Sequence, residues 1–392
     1  MAKMTAITGR ATPQGTGQYA DRHQELSYAS LGATDLFVSA AGFGSYRIDT
    51  SSPAHEEALL YALRSGVNLI DTSANYTDGG SERLIGQVLG KLAAAGEIER
   101  DQVVVVSKAG YLQGENYQLS QARKAAGRPF AELVLAGQGL EHCIHPEFLE
   151  DQITRSLARL NLQTLDCCLL HNPEYYLATA KAEGVPATQA RAEYYRRIRQ
   201  AFLHLEKETV AGRIASYGIS SNTFPGMAAD YNFTSLTAVW DIACEISPAH
   251  HFRVIEFPMN LLETGAVLRQ NQPTGQSLLE FAGEKNLGVL INRPLNAIVG
   301  ERLVRLAENH YSGDGALQAR RFRDKVAELD AEWSEAESLS QIALRAIRST
   351  SGISSVLMGM RAKTYVDDVL AELRRGCGVS PRTDSWRNVE DL

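Results

Sequence analysis

Three features of the 392-residue chain predict an α/β fold, a single closed (β/α)8 TIM barrel. Short, wholly apolar runs alternate with stretches of helical periodicity, as in a parallel sheet covered by helices. Eight such pairs are present, and no composition break offers a place to cut the chain into two doubly wound domains.

Taken in order, residues 1–25 are rich in Thr, Gly and Gln, lack periodicity and read as a flexible tail. Residues 26–380 read as the barrel, and 381–392 as a C-terminal tail. The segment YASLGATDLFVSAAGFGSYRI (28–48) predicts an N-terminal hairpin around Gly32, then a first inner strand near 40–43 ending at Gly44. Further strands are expected near 67–70, 103–106, 166–170, 215–219, 253–258, 288–291 and 353–358. Helices are expected near 54–65, 81–95, 147–160, 190–211, 234–246, 277–286, 333–349 and 363–374. Three long βα loops, 109–146, 172–189 and 296–332, follow strands and therefore belong to the rim where barrels place their chemistry. The last contains ALQARRFRDKVAELDAEW, which has helical character and reads either as a solvated face or as a cover over part of a ligand groove.

Composition narrows the function. A formal net charge of -7 argues against nucleic acid or an anionic membrane as main partner. No run approaches the roughly 18 apolar residues of a membrane span, and the start MAKMTAITGR has no apolar signal core. The five cysteines, Cys143, Cys167, Cys168, Cys244 and Cys377, lack metal-type spacing and suit reduced thiols in the cytoplasm. No metal site is expected.

The stretch GVNLIDTSANYTDGGSERLIGQVL (66–89) organises the chemistry. Its strand stops on Asp71, Tyr76 follows in a polar loop, and Ser81 reads as the cap of the next helix. VVVVSKAG puts Lys108 just past the third strand, DCCLLHNPE puts His171 at the end of the fourth, and YGISSNTF puts Ser220, Ser221 and Asn222 at the end of the fifth. Each alone has an ordinary reading as cap, surface lysine or satisfied histidine. Together, Asp71, Tyr76, Lys108 and His171 occupy one rim on consecutive strands. Tyr46, just after the first strand, faces the same mouth, and Tyr111, Tyr117, Tyr175, Tyr176, Trp240, His250 and His251 are further aromatics for pocket walls.

From about Tyr28 to Leu373 the chain resembles the aldo-keto reductase family. The resemblance is carried by LIDTSANY, SKAG, SLARLNLQTLDCCLLHNPE, GRIASYGISSN and the closing ISSVLMGMRAKTYVDDVL. It implies NADPH-dependent reduction of an aldehyde, ketone or sugar carbonyl by hydride transfer, with NAD as a possible substitute. Tyr76 would donate the proton, an ammonium on Lys108 would lower its pKa, Asp71 would hold Lys108, and His171 would bind the carbonyl oxygen. Ser220, Ser221 and Asn222 would bind the nicotinamide carboxamide. Gly44, Ser45 and Tyr46 at the first strand end, and Pro294 and Leu295 after the seventh, would also line the cofactor. So would Gly359, Met360, Arg361, Lys363, Tyr365 and Asp368 at the eighth, where Arg361 and Lys363 could meet a 2′-phosphate.

Two departures from the family pattern stand out. Glu256 occupies the usual glutamine position, and an ionised carboxylate accepts but cannot donate. Asn292 replaces an aromatic that stacks on the nicotinamide, with Arg293 beside it either reaching a cofactor phosphate or pairing on the rim. These departures motivate a second reading, a non-catalytic nucleotide-binding barrel acting as redox sensor or regulatory subunit. A sugar or alcohol dehydrogenase running in the oxidative direction is a third. A metal-dependent sugar isomerase is disfavoured by the lack of a carboxylate and histidine cluster. Substrate identity and oligomeric state are not legible in the sequence.

Overall fold

The computed structural model describes residues 6–392 apart from 274, 301, 308, 309, 311 and 335. Its centre is a closed, all-parallel barrel of eight strands. These are β1 (Ala41–Gly44), β2 (Leu69–Asp71), β3 (Val104–Ala109), β4 (Cys167–His171), β5 (Tyr217–Ser220), β6 (Phe252–Pro258), β7 (Gly288–Asn292) and β8 (Ser355–Gly359). Each strand pairs with its successor, and β8 closes on β1 through Met358 opposite Phe43 and Gly359 opposite Gly44. Short β-branched and leucine-rich runs suit strands buried on both faces.

The connecting helices are α1 (Pro53–Arg64), α2 (Gly80–Ala94), α3 (Pro146–Leu160), α4 (Ala187–Val210), α5 (Leu236–Ile246), α6 (Leu278–Glu284), α7 (Leu339–Arg348) and α8 (Lys363–Leu373). Their starts follow ordinary helix chemistry. Pro53 and Pro146 lie in first turns, where a missing N–H costs nothing. Ser235, Ser277 and Ser338 cap α5, α6 and α7 through their hydroxyls. Ser81 is not a cap: it lies inside the first turn of α2, where its hydroxyl bonds Ser45 and Thr72.

The inside of the barrel is filled by Leu69, Val104, Val106, Cys167, Leu169, Val254, Leu290 and Leu357. The predicted hairpin plugs its lower end: Tyr28–Ser30 pairs antiparallel with Phe37–Ser39, and Leu31, Leu36 and Val38 join the same cluster. Gly32 at the turn has φ +53°, and a Cβ there would lie 2.2 Å from the Gly288 amide nitrogen, so only glycine lets the plug seat against β7. With the bottom closed, the mouth at the C-terminal strand ends is where a ligand can enter.

The described parts of both expected tails carry helices packed on the barrel. Residues 1–5 lie outside the described residues, but Pro13–Asp21 is a helix capped by Thr12. Tyr19 on that helix is buried and donates to the Leu63 carbonyl, while Ala11 N–H donates to Asp166 Oδ1 at 2.7 Å. At the other end Thr383–Glu390 is a helix whose buried Trp386 donates to Thr350 Oγ1 (2.8 Å) and packs edge-on to Trp333 at 5.4 Å. In both segments one buried aromatic supplies the apolar contact that a composition-based reading overlooks.

The long rim loops carry structure of their own. Loop 109–146 holds a three-stranded antiparallel sheet (Tyr111–Leu112, Val134–Gly137, Leu140–His142) and the helix Gly114–Ala125. Loop 172–189 holds the helix Tyr175–Ala182. Loop 296–332 holds the hairpin Asn296–Val299 with Arg302–Arg305, then the helix Asp314–Glu328 over the predicted charged stretch.

Candidate active site

Barrel register decides which side chains meet. Asp71 ends β2 and pairs with Val106, two residues before Lys108 on β3. Lys108 in turn stands opposite Leu169, two residues before His171. Alternate residues of a strand share a face, so these end residues converge on the mouth.

Lys108 is fully buried, and its ammonium is the hub. It donates to Asp71 Oδ1 in a close ion pair, to Thr72 O at 3.3 Å and to the Tyr76 hydroxyl at 3.4 Å. A fourth group, Glu256 Oε2 on β6, lies 3.2 Å away. An ammonium has three protons, and they are already directed at three acceptors. Glu256 Oε2 therefore sits at ion-pair distance without hydrogen-bond geometry and has no other partner among the described residues. Its Oε1 accepts from Ser220 Oγ (3.0 Å) and from Asn292 Nδ2 (2.8 Å).

This arrangement sets the proton affinities. Asp71 is held well above the ordinary carboxylate range, by burial first and by the Glu256 charge second, which together outweigh Lys108. Burial alone would push Lys108 down, but Asp71, Glu256 and Tyr76 hold it above the ordinary lysine value. The expectation that Lys108 lowers Tyr76 is reversed. Lys108 does pull in that direction, but burial is the larger effect, and Asp71 and Glu256 add to the rise, so the phenol is held protonated.

His171 completes the set. Its Nδ1 lies 3.0 Å from Ser73 Oγ, which leaves Nε2 for a ligand. Burial, with Lys108 and His142 nearby, holds the ring well below the ordinary histidine value and hence neutral. His142 Nε2 lies 2.7 Å from the His171 carbonyl; a carbonyl only accepts, so His142 donates there, and burial lowers its pKa to about 4. Aromatic rings wall the mouth. Tyr46 stands edge-on to Tyr76 at 5.1 Å, Tyr76 to His171 at 6.0 Å, and Tyr111 to His171 at 4.6 Å. Trp240, His250 and His251 are elsewhere: Trp240 on α5 packs edge-on to His250, and both histidines precede β6 at the opposite end of the barrel.

The other expected site residues divide into those with groups open to a ligand and those committed to the fold. Ser45 is buried and donates to the Asp71 carbonyl at 2.7 Å, closing a hydroxyl chain with Ser81 and Thr72. Ser221 is buried and holds its turn through Thr223 and Thr234. Met360 is wholly in the outer core, and Asp368 already accepts from Ser340 (2.8 Å) and Gln341 (3.0 Å), tying α8 to α7. Lys363 rests 4.6 Å over the Tyr61 ring. Gly44 borders Asp71 across the β1–β2 ladder, Tyr46, Asn222, Gly359, Arg361 and Tyr365 are exposed, and just after β7 Pro294 is buried and Leu295 half-buried.

At the end of β7 and just past it, Asn292 and Arg293 join Glu256 among the side chains with buried polar atoms that have no hydrogen-bond partner among the described residues. The atoms are Oδ1 of Asn292 and Nε and Nη1 of Arg293, although Arg293 Nη2 pairs with Glu263 at 2.7 Å. With Glu256 Oε2, which faces Lys108, the ends of β6 and β7 hold two buried acceptors suited to an amide N–H₂ and two buried guanidinium donors suited to a phosphate oxygen. That donor and acceptor set fits a nicotinamide dinucleotide. Among the described residues no three His, Cys, Asp or Glu side chains group as a metal site.

The model for the aldo/keto reductase family matches residues 40–375. The chain belongs to the aldo/keto reductase family. Within it, the NADH-specific methylglyoxal reductase of Escherichia coli K12 is 30% identical over 149 residues, which is 36% of this chain and 40% of that protein. The chain therefore matches well under two thirds of that relative's length. Aldo-keto reductase YhdN of Bacillus subtilis 168 is 23% identical over 352 residues, covering 86% of this chain and 85% of that one. Among solved structures, the glycerol dehydrogenase AKR11B4 of Gluconobacter oxydans superimposes with a TM-score of 0.58 at 18% identity, over 93% of this chain and 94% of that one. An aldo-keto reductase of Klebsiella pneumoniae in complex with NADPH gives 0.51 at 19% identity, over 89% and 90%. These structural likenesses show a shared barrel fold.

One buried acid escaped the sequence reading. Glu174, three residues after His171 in HNPE, is buried, accepts the Asn222 backbone N–H at 2.8 Å and has Oε2 without a partner. Burial raises its pKa to about 7. Its nearness to His171 in sequence was the available signal; nothing in the spacing says that its carboxyl turns inward to hold the loop after β5.

Proposed function

We propose that this protein reduces a small aldehyde, ketone or sugar carbonyl with NADPH, NADH serving as the alternative, and that Tyr76 delivers the proton. The observation that carries the reading is the buried Asp71–Lys108–Tyr76 array with neutral His171 beside it at one mouth. Bound nicotinamide would supply the hydride to the carbonyl carbon. Tyr76 protonates the oxygen as charge develops on it. A phenol held above its ordinary pKa is still a stronger acid than an alcohol, so the transfer runs downhill. Lys108 stabilises the resulting phenolate, and Asp71 fixes Lys108 in place. The single Ser73 hydroxyl proton is shared between Asn75 Oδ1 (2.6 Å) and His171 Nδ1 (3.0 Å); when it turns to Nδ1, His171 carries its own proton on Nε2 and hydrogen-bonds the carbonyl oxygen with it.

A protonated Tyr76 favours reduction over oxidation, because removing a proton from an alcohol needs the phenolate. Ser220, Glu256 and Asn292 are proposed to hold the carboxamide, Arg293 a phosphate oxygen, and exposed Arg361 a 2′-phosphate. No helix among the described residues is long and apolar enough to cross a membrane, and all five cysteines are free, in keeping with a reducing cytoplasm. The non-catalytic reading draws on Glu256, which contests Lys108 with Tyr76. Fluorescence titration with NADPH and NADH, followed by turnover of a panel of aldehydes, ketoaldehydes and sugars, tests the proposal. Oxidation of reduced cofactor by at least one carbonyl supports it. Tight binding with no turnover of any carbonyl supports the sensor.

A further inference from the structure

Counting charges around Lys108 leads further. When ionised, Asp71 and Glu256 bring two negative charges to one positive, all three groups buried. Among the described residues, the neighbouring groups supply no second unpaired cation. Ser220 and Asn292 are uncharged, and Tyr76 and His171 are held neutral. The Cys167 thiol beneath on β4 is raised by burial, and Arg293 on the β7 end is paired with Glu263. Glu174 holds the loop after β5 and adds no positive charge. An uncompensated buried negative charge is costly, and it can be relieved by taking up a proton or by a cation placed nearby.

The oxidised nicotinamide ring is such a cation, and the reduced ring is not. Glu256 Oε2 and Asn292 Oδ1, buried without hydrogen-bond partners among the described residues, are the acceptors that its carboxamide would meet in the dinucleotide reading. We propose that Glu256 makes this site discriminate between the two redox forms of its cofactor: oxidised nicotinamide displaces a proton from the Asp71–Glu256–Lys108 cluster on binding, and reduced nicotinamide does not. This rests on the dinucleotide reading above. The exchange balances: the protonated cluster and the oxidised cofactor give their complex and one proton released to solvent. Linkage requires the reciprocal, so raising the pH tightens the oxidised form and leaves the reduced form alone. Glu256 acts here as a positioning charge, and a glutamine in its place keeps the hydrogen bonds from Ser220 and Asn292 while removing the second negative charge.

The test is calorimetric titration of the wild-type protein with NADP+ and NADPH across neutral pH, in buffers of different ionisation enthalpy. Both forms carry the same phosphates, so their difference isolates the ring. The expected result is release of about one proton with NADP+, its Kd falling by up to about tenfold per pH unit, while NADPH shows neither. In Glu256→Gln the difference vanishes and NADP+ weakens on the order of tenfold relative to NADPH. Equal proton release and equal slopes for the two forms overturn the proposal, as does a difference that persists in E256Q. Failure of both forms to bind overturns the dinucleotide reading itself, a result distinguishable from either of those. The wild-type comparison stands without the variant.

Discussion

The Tyr76 hydroxyl lies 3.4 Å from the Lys108 ammonium, the third of three acceptors that share its protons. Burial, reinforced by the Asp71 and Glu256 carboxyl groups beside the pair, keeps that phenol protonated despite the ammonium. The reduction rate at saturating NADPH is accordingly expected to stay flat across the neutral range, while the reverse oxidation rises with pH, up to about tenfold per unit, as phenolate becomes available. Initial rates in both directions over that range check this. An oxidation rate independent of pH contradicts it.

His142 predicts a loss of stability in acid. Its pKa is about 4 in the folded protein against 6.5 for the free side chain. The unfolded chain binds this proton as pH falls through about 6.5, the native state only near about 4. The stabilisation is therefore complete above the upper value and drains away between the two, by about 3 kcal/mol. Denaturant midpoints at mildly acidic and neutral pH measure it. His142→Gln, which keeps a donor for the His171 carbonyl, is expected to flatten the slope.

Glu174 predicts the opposite trend. Its carboxyl titrates at about 7 in place against 4.5 free. The native state holds this proton to higher pH than the unfolded chain does, so stability is full below about 4.5 and falls as pH rises to about 7. Glu174→Gln is expected to stabilise the protein at mildly alkaline pH by on the order of 2–3 kcal/mol, because an amide oxygen still accepts the Asn222 N–H. Thermal melts at acidic and alkaline pH check the sign. An unchanged or lowered melting temperature at alkaline pH contradicts it.

The barrel was legible because each strand is short, apolar and followed by a helix of clear period, and the hairpin because Gly32 interrupts two small runs. The terminal helices were not, because Tyr19 and Trp386 anchor them through single buried rings that no periodic pattern announces. In the site, Asp71, Lys108 and His171 could be read from strand ends, since a strand end dictates which way its last side chains face, and Tyr76 from its place in the loop five residues after Asp71. The proton affinities could not. They depend on Glu256 arriving from β6 at the same ammonium, and on burial that sequence spacing does not encode. The same holds for Ser45, Ser221 and Asp368, whose polar groups look available in sequence and are bonded within the fold.

The most direct measurement follows a single turnover of NADPH with a competent aldehyde by stopped-flow, for wild type and for Tyr76→Phe, after each is shown to bind NADPH. With Tyr76 as proton donor, the variant binds the cofactor like wild type and loses hydride transfer by about 10²–10⁴-fold. Transfer at the wild-type rate in Tyr76→Phe would contradict the account.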